Sequence, residues 1–272
     1  IIKLLVFIEI FHTFCLVHDD IMDNSTKRHG IDTLHARIGK TNSNELGISH
    51  AILIGDYLFA WSWEIITNSS LDPALSKNLM KLFSEMIEEV FLGQEIDVQI
   101  TGEKIVADSL IEKKTLYKTA GYSFVKPMLI GALLSGKFDK KTVKFCNDLG
   151  NALGVAFQIR DDLLDITSSF YENKTTLSDV TNHQHTIFTN YVLKNGTREQ
   201  KGLLRQYFGK KIHTNEINRI RKIFYDSGAI NYGEKTIADN IDKANKLIGT
   251  QNLGKYKKDF YSLIMLIGSR NS

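Results

Sequence analysis

The chain has 272 residues and only two prolines, against roughly 5% in average usage. Proline interrupts helices, so a chain this poor in it can run long ones. Hydrophobic residues make up 43% and charged residues 24%, which excludes collagen-like, disulfide-scaffold and intrinsically disordered classes. Lys and Arg number 34 against 31 Asp and Glu, a net charge of +3, which argues against a dedicated nucleic-acid binder.

Residues 1–17 read IIKLLVFIEIFHTFCLV. The run is short for a membrane span and carries Lys3, Glu9 and His12. Acidic residues follow it rather than a small-residue cleavage site, so a buried core helix is the reading, not a signal peptide. The chain opens inside this helix without Met, and upstream helices are expected to be missing. Residues 48–66 are apolar nearly all round and predict a buried helix. Residues 75–100 carry apolar side chains at three- and four-residue spacing. Residues 110–136 start amphipathic and turn apolar after Lys126. Residues 141–166 form another long run, with Gly150 and Gly154 one turn apart, small enough to let two helices approach closely. Residues 214–228, 231–249 and 253–268 predict three further amphipathic helices. Breaks fall at 24–47, 68–73, 136–140, 168–182 and 194–197, all polar and rich in Asn, Ser, Thr and Gly. No run alternates as a sheet would. One all-α bundle of a single domain, 1–272, larger than a four-helix one, is expected. Cys15 and Cys146 have neither metal-ligand spacing nor a paired framework, which fits a reducing, cytoplasmic setting.

The informative residues are acidic. Asp19-Asp20-Ile21-Met22-Asp23 ends the first helix and Asp161-Asp162-Leu163-Leu164-Asp165 ends the 141–166 run. Both read D-D-x-x-D. Residues four apart share a helix face, so Asp19 pairs with Asp23 and Asp161 with Asp165. Like charges so placed repel, and the negative end of each helix dipole adds to the cost. A local rule broken twice in the same way marks a functional site more often than a pair of solvated helix ends. The compensating partner must be cationic. Carboxylate oxygens without a nearby Cys or a Glu-x-x-His suit Mg²⁺, which keeps waters and bridges carboxylates to substrate phosphates. Lys27, Arg28 and His29 follow the first cluster, Lys174 follows the second, and Lys118-Thr119-Ala120 lies between. Any one of these cations alone would read as a surface residue. Six carboxylates, a metal and scattered cations together suit a diphosphate.

The stretches FHTFCLVHDDIMDNSTKRHG, GDYLFAWS, Lys118-Thr119-Ala120 and FQIRDDLLD resemble a trans-isoprenyl diphosphate synthase of the polyprenyl synthetase family, of the short-chain type that makes farnesyl or geranylgeranyl diphosphate. The likeness runs from Phe11 to the C-terminus and is strongest at the two clusters. It implies the isoprenoid synthase fold, an all-α bundle around a deep central cavity and usually a homodimer. It also implies a Mg²⁺-dependent prenyltransferase, with three ions holding an allylic diphosphate and isopentenyl diphosphate attacking it in a 1′-4 head-to-tail condensation. By resemblance Asp19, Asp20 and Asp23, with Asp161, Asp162 and Asp165, are metal ligands. Arg28, Lys118 and Lys174 match cations for the allylic diphosphate. Thr119 and Gln158 match residues lining the reaction centre, and His12 a position that binds isopentenyl diphosphate. Family members place their length-limiting bulk at the levels of Cys15, Phe14 and Phe11. Phe14, with Phe11 one turn below, implies a low floor and a C15 to C20 product, although at ~100° per residue Cys15 and Phe11 lie nearer the Asp19 face.

The chain departs from the pattern in three places. His29 stands where the family has a second arginine for isopentenyl diphosphate, and histidine cannot make the bidentate fork. His183-Gln184-His185-Thr186 replaces Gly-Lys-x-Thr, so a lysine is lost. The upstream Gly-Gly-Lys-Arg-x-Arg-Pro segment is absent. The alternatives are a terpene cyclase, which carries a different second motif, and a non-catalytic subunit of a heteromeric synthase, which would be free to lose the six aspartates. An HD-type phosphohydrolase built on His18-Asp19 leaves the second cluster unexplained.

Overall fold

The computed structural model describes residues 2–28, 30–168 and 177–269, with residues 2–4 as backbone only. Helix dominates: α1 (Ile2–Met22), α2 (Leu34–Thr41), α3 (Asn44–Thr67), α4 (Pro73–Ile100), α5 (Asp108–Lys114), α6 (Lys126–Leu134), α7 (Lys140–Thr167), α8 (Ser178–Thr181), α9 (Ile187–Asn195), α10 (Arg198–Tyr207), α11 (Ile217–Asp226), α12 (Ala229–Thr250) and α13 (Lys257–Ser269). Pro73 opens α4, where a missing N–H costs nothing, and Pro127 is the second residue of α6, which continues directly from the preceding helical segment. The chain condenses into two compact units that divide within α4 after Phe83. Among the described residues no helix is long and apolar enough to cross a membrane.

The first unit packs α3 along α1, with α2 against α3. Ser43 caps α3 by accepting the Leu46 N–H. The sequence reading of 48–66 as a fully buried helix needs correction. The residues of α3 that are buried are mostly small (Gly47, Ala51, Gly55, Ser62, with Ile66), whereas Ile52, Leu53, Tyr57 and Trp61 are exposed. Gly47 and Gly55 bring a neighbouring backbone or ring close, with buried Ala51 midway between them on the same face, and a Cβ on Gly55 would overlap the His18 ring. The larger apolar side chains therefore point away. Below them an aromatic cluster joins α1 to α3 and the start of α4: Phe7, Phe11, Phe14, Phe59, Trp63 and Phe83, with ring centroids 4.8–6.4 Å apart.

The expected break at 24–47 also holds structure. β1 (Lys27–Arg28) and β2 (Ile31–Asp32) pair antiparallel, and α2 follows. Two-residue strands are too short to show alternation, which is why the pattern missed them.

The second unit centres on α7, which packs against the segment Thr115–Val125 and against α12. Asp139 caps α7 through the Thr142 N–H at 2.8 Å. Capping boxes at Thr186 and Thr197 start α9 and α10. Leu149, Leu153, Phe188, Leu204 and Phe224 are among the fully buried side chains of its core, and each contributes roughly 1.5–3 kcal/mol of burial. Gly150 and Gly154 do bring α7 close to a partner: a Cβ on Gly150 would lie 2.6 Å from Val125, and one on Gly154 would overlap Ala120.

That partner is not the continuous α-helix expected over 110–136. Between α5 and α6 the eleven residues Thr115–Val125 are π-helical, a wide turn that is rare and concentrates at functional sites. The segment holds Lys118 and Thr119. The expected break at 168–182 likewise ends in the single turn α8.

Candidate active site

In the first unit α1 presents Asp19, Asp20 and Asp23 in its last turn and just beyond it. The Asp23 N–H still bonds the Asp19 carbonyl at 2.9 Å, which keeps these two one turn apart on one face. The three do not share one environment. Asp20 is buried, and Arg28 on β1 donates to its Oδ1 from Nε at 3.0 Å and Nη2 at 2.8 Å. The same Nη2 lies 3.5 Å from Asp19 Oδ2. Burial raises the Asp20 carboxyl above its ordinary range, with Arg28 opposing. Burial disfavours the Arg28 charge, but Asp20, Asp19 and Asp23 outweigh it and raise its pKa. The hairpin thus clamps one carboxylate of the cluster, and Asp19 and Asp23 are only half-buried.

His12, about two turns earlier, is half-buried; burial lowers its pKa, so the imidazole is neutral near pH 7. Phe11 is fully buried and Phe14 is 5% exposed, both within the aromatic cluster, while Cys15 is half-buried. His29 lies outside the described residues.

In the second unit α7 carries Asp161, exposed, with Asp162 and Asp165 half-buried. A hydrogen-bond chain leads to Asp162: Thr119 donates to Gln158 Oε1 at 2.6 Å, and Gln158 Nε2 donates to Asp162 Oδ1 at 2.8 Å. The sequence placed Thr119 and Gln158 at the reaction centre, and the π segment and α7 do bring them together. Asp165 accepts from the Ser178 N–H at 2.9 Å, the Ser178 hydroxyl at 2.6 Å and the Asp179 N–H at 3.0 Å. The Asp162 carboxylate is enclosed by protein atoms although part of the residue reaches solvent. Burial, with Asp161 and Asp165 adding to it, pushes its pKa up to about 7. Burial also raises Asp165, and raises Asp179 well above the usual carboxylate range, where Asp165 and Asp162 add to it.

Lys118 donates to Asp97 Oδ2 at 2.6 Å. Its backbone touches α4 at Gly93, where a Cβ would lie 2.7 Å from the Lys118 Cα. Asp97, one turn further along α4, also accepts from Lys114 at 2.9 Å. Asp97, Lys114 and Asp179 were missed by motif reading. Asp97 is one of five acids on α4 and stands in neither cluster, Lys114 sits one turn before Lys118, and Asp179 falls in the polar stretch that the sequence reads as a break; only the second position of a two-cation helix face offered a signal. Gln184, where the family resemblance leads to a lysine, is buried and accepts from Thr101 at 3.4 Å. His185 beside it is fully buried, with Nε2 donating to the Glu103 carbonyl at 2.8 Å and Nδ1 unpartnered. Lys174 lies outside the described residues.

Among the described residues no three His, Cys, Asp or Glu side chains converge into a ready metal cage. The donor set nevertheless suits a hard dication: it is all oxygen, and several of its carboxylates are raised by burial and by one another, so their charges are under-compensated.

An all-α chain with two aspartate clusters and cations beside the second belongs among metal-dependent enzymes acting on diphosphates. The polyprenyl synthetase profile matches residues 1–225. Geranylgeranyl diphosphate synthase of Sulfolobus acidocaldarius is 31% identical over 249 residues, covering 88% of this chain and 72% of that protein. Geranylfarnesyl diphosphate synthase of Aeropyrum pernix is 30% identical over 250 residues, covering 89% and 73%. Among solved structures, geranylgeranyl pyrophosphate synthetase of Pyrococcus horikoshii superposes with a TM-score of 0.87 at 27% identity, covering 98% of this chain and 79% of that one. A Corynebacterium glutamicum geranylgeranyl pyrophosphate synthase, at 22% identity, reaches 0.92 over 98% and 78% and shows the shared fold. The chain belongs to the polyprenyl synthetase family and is a prenyltransferase.

Proposed function

We propose that this enzyme joins an allylic diphosphate to isopentenyl diphosphate, head to tail, and releases an all-trans prenyl diphosphate of C15 to C20. The observation that carries the reading is the gathering of Asp161, Asp162, Asp165 and Asp179 at the end of α7 with two ammoniums on the neighbouring Asp97. Excess negative charge beside fixed cations is what a diphosphate and its metal ions require. The names of the relatives support the product class.

In this reading Asp19, Asp20 and Asp23, with Asp161, Asp162 and Asp165, hold Mg²⁺, three ions in all. When bound, Mg²⁺ neutralises charge on the departing diphosphate. Arg28, Lys118 and Lys174 bind the allylic diphosphate, with Arg28 already oriented by Asp20. Neutral His12 offers a hydrogen bond to isopentenyl diphosphate, and His29 is assigned to the same substrate. The Thr119–Gln158–Asp162 chain fixes polar groups at the reaction centre before substrate arrives. The allylic C–O bond breaks and its electrons leave with diphosphate. The isopentenyl double bond then forms the new C–C bond to the cation, and the released diphosphate takes the lost proton. Phe11, Phe14 and Cys15 limit the product. A homodimer is part of the proposal, supported by the exposed apolar face of α3 at Leu53, Tyr57 and Trp61.

The test is direct. Purified protein with Mg²⁺, geranyl diphosphate and labelled isopentenyl diphosphate should give labelled, acid-labile products of C15 to C20. Hydrocarbon formed without isopentenyl diphosphate, or no incorporation at all, overturns the reading.

A further inference from the structure

The surroundings of Asp97 in the second unit hold a cation that no motif singled out. Asp97 is 4% exposed, and its two oxygens are taken by different ammoniums, Oδ1 by Lys114 at 2.9 Å and Oδ2 by Lys118 at 2.6 Å. One negative charge therefore holds two positive ones. Lys114 closes α5 and Lys118 sits one turn on, in the π segment. The Lys114 side chain is 12% exposed, so water hydrates its charge poorly. Its Nζ also donates to the His185 carbonyl at 2.8 Å, which uses two of its three donors.

A neutral amide could make both of those bonds. A full charge at this depth costs free energy unless an anion answers it, and Lys114 shares its bonded carboxylate, Asp97, with Lys118. Its field also reaches Asp162, Asp179 and the His185 ring. Lys114 thus stands between a shared carboxylate and an acidic cluster, with one donor in reserve.

We propose that Lys114 is a further cationic ligand of the diphosphate group, held beside Lys118 by their common Asp97. The proposal rests on the reading of the second unit as a diphosphate site. Asp97 is then a positioning residue that sets the separation of two ammoniums, so that both can face the oxygens of one ligand. The alternative is that Lys114 only ties α5 to the loop before α9.

The probe is inorganic pyrophosphate with Mg²⁺, titrated calorimetrically into the full chain. Lys114→Gln keeps donors for Asp97 and His185 while removing the charge; Lys114→Met keeps the length. Both should weaken pyrophosphate binding about tenfold or more, as the loss of a charge-assisted bond implies, and Lys114→Arg should stay within about threefold. The KM for the allylic diphosphate should rise with the pyrophosphate Kd, and kcat should fall less. If Lys118→Gln weakens binding while both neutral Lys114 variants bind like the wild type, Lys114 is structural and the diphosphate reading stands. If Lys118→Gln also binds normally, that reading fails and this proposal fails with it.

Discussion

Replacing Asp97 by Asn tests the electrostatic logic of the second unit. The substitution keeps the shape but leaves Lys114 and Lys118 without their shared carboxylate. Removing one partner of a buried ion pair costs about 3–5 kcal/mol. Here two ammoniums lose their partner, but their side chains are 12% and 21% exposed, and the Asn amide oxygen still accepts one bond. The lower end, about 3 kcal/mol at pH 7, is expected, or a drop in Tm of roughly 6–10 °C for a chain of this size. The pH dependence adds a second reading. Burial pushes the Asp97 carboxyl up, but Lys114 and Lys118 outweigh it and hold it below the ordinary carboxylate range. Its stabilisation is therefore fully present above about pH 4, the unfolded value, and is lost as pH falls through the lower folded value. Urea denaturation of both proteins from pH 7 downward should show the gap narrowing only at the acid end. A gap under about 0.5 kcal/mol at pH 7, or one that widens on acidification, refutes the reasoning.

Two further outcomes follow from the first unit. Arg28→Met removes the guanidinium that pairs with buried Asp20 and should cost about 2 kcal/mol by denaturation, below the full buried-pair value because Arg28 is 36% exposed; the KM for the allylic diphosphate should rise at the same time. Phe14→Ala should cost about 3 kcal/mol by opening a cavity and shift products toward longer chains by at least one five-carbon unit; a folded variant with unchanged products on chromatography would assign the ring to packing alone.

How far the sequence reached depended on what each feature needs. The two clusters were legible because carboxylate repetition is written in the chain itself, and the long helices because a 3.6-residue period survives without tertiary information. The Thr119–Gln158 contact was reachable through family resemblance. Asp97 and Lys114 were not, since an isolated Asp or Lys gains meaning only when folding sets its oxygen or nitrogen within 3 Å of a partner. The face of α3 was misread for a related reason. Mean apolarity over 48–66 predicts burial, but it is Gly47 and Gly55 that decide which side packs closely, and they do so by having no side chain at all. The π segment leaves no period of its own within eleven residues. Its one sequence trace is Pro127, which supplies no N–H and whose ring crowds the carbonyl four residues back. The Lys126 N–H bonds the Gly121 carbonyl, five residues back, so the turn is already widened where the proline enters.

The same widened segment makes the sign of one substitution diagnostic. In an ordinary helix Gly→Ala stabilises by about 1 kcal/mol, and α4 around Gly93 is an uninterrupted helix. A Cβ at Gly93, however, would lie 2.7 Å from the Lys118 Cα and 2.8 Å from the Tyr117 carbonyl carbon. These are backbone atoms of a segment that also packs, at Ala120, against Gly154 on α7, so neither side can retreat through a rotamer change. Overpacking of this kind costs about 1–3 kcal/mol and should outweigh the propensity gain. Gly93→Ala should therefore destabilise by about 1–2 kcal/mol and push Lys118 off Asp97, raising the KM for the allylic diphosphate more than it lowers kcat. Gly131→Ala, where a Cβ meets nothing within 4 Å, is the control and should stabilise. A Gly93→Ala protein more stable than the wild type, with unchanged KM, would show that the approach of α4 to Lys118 does not govern where that ammonium sits.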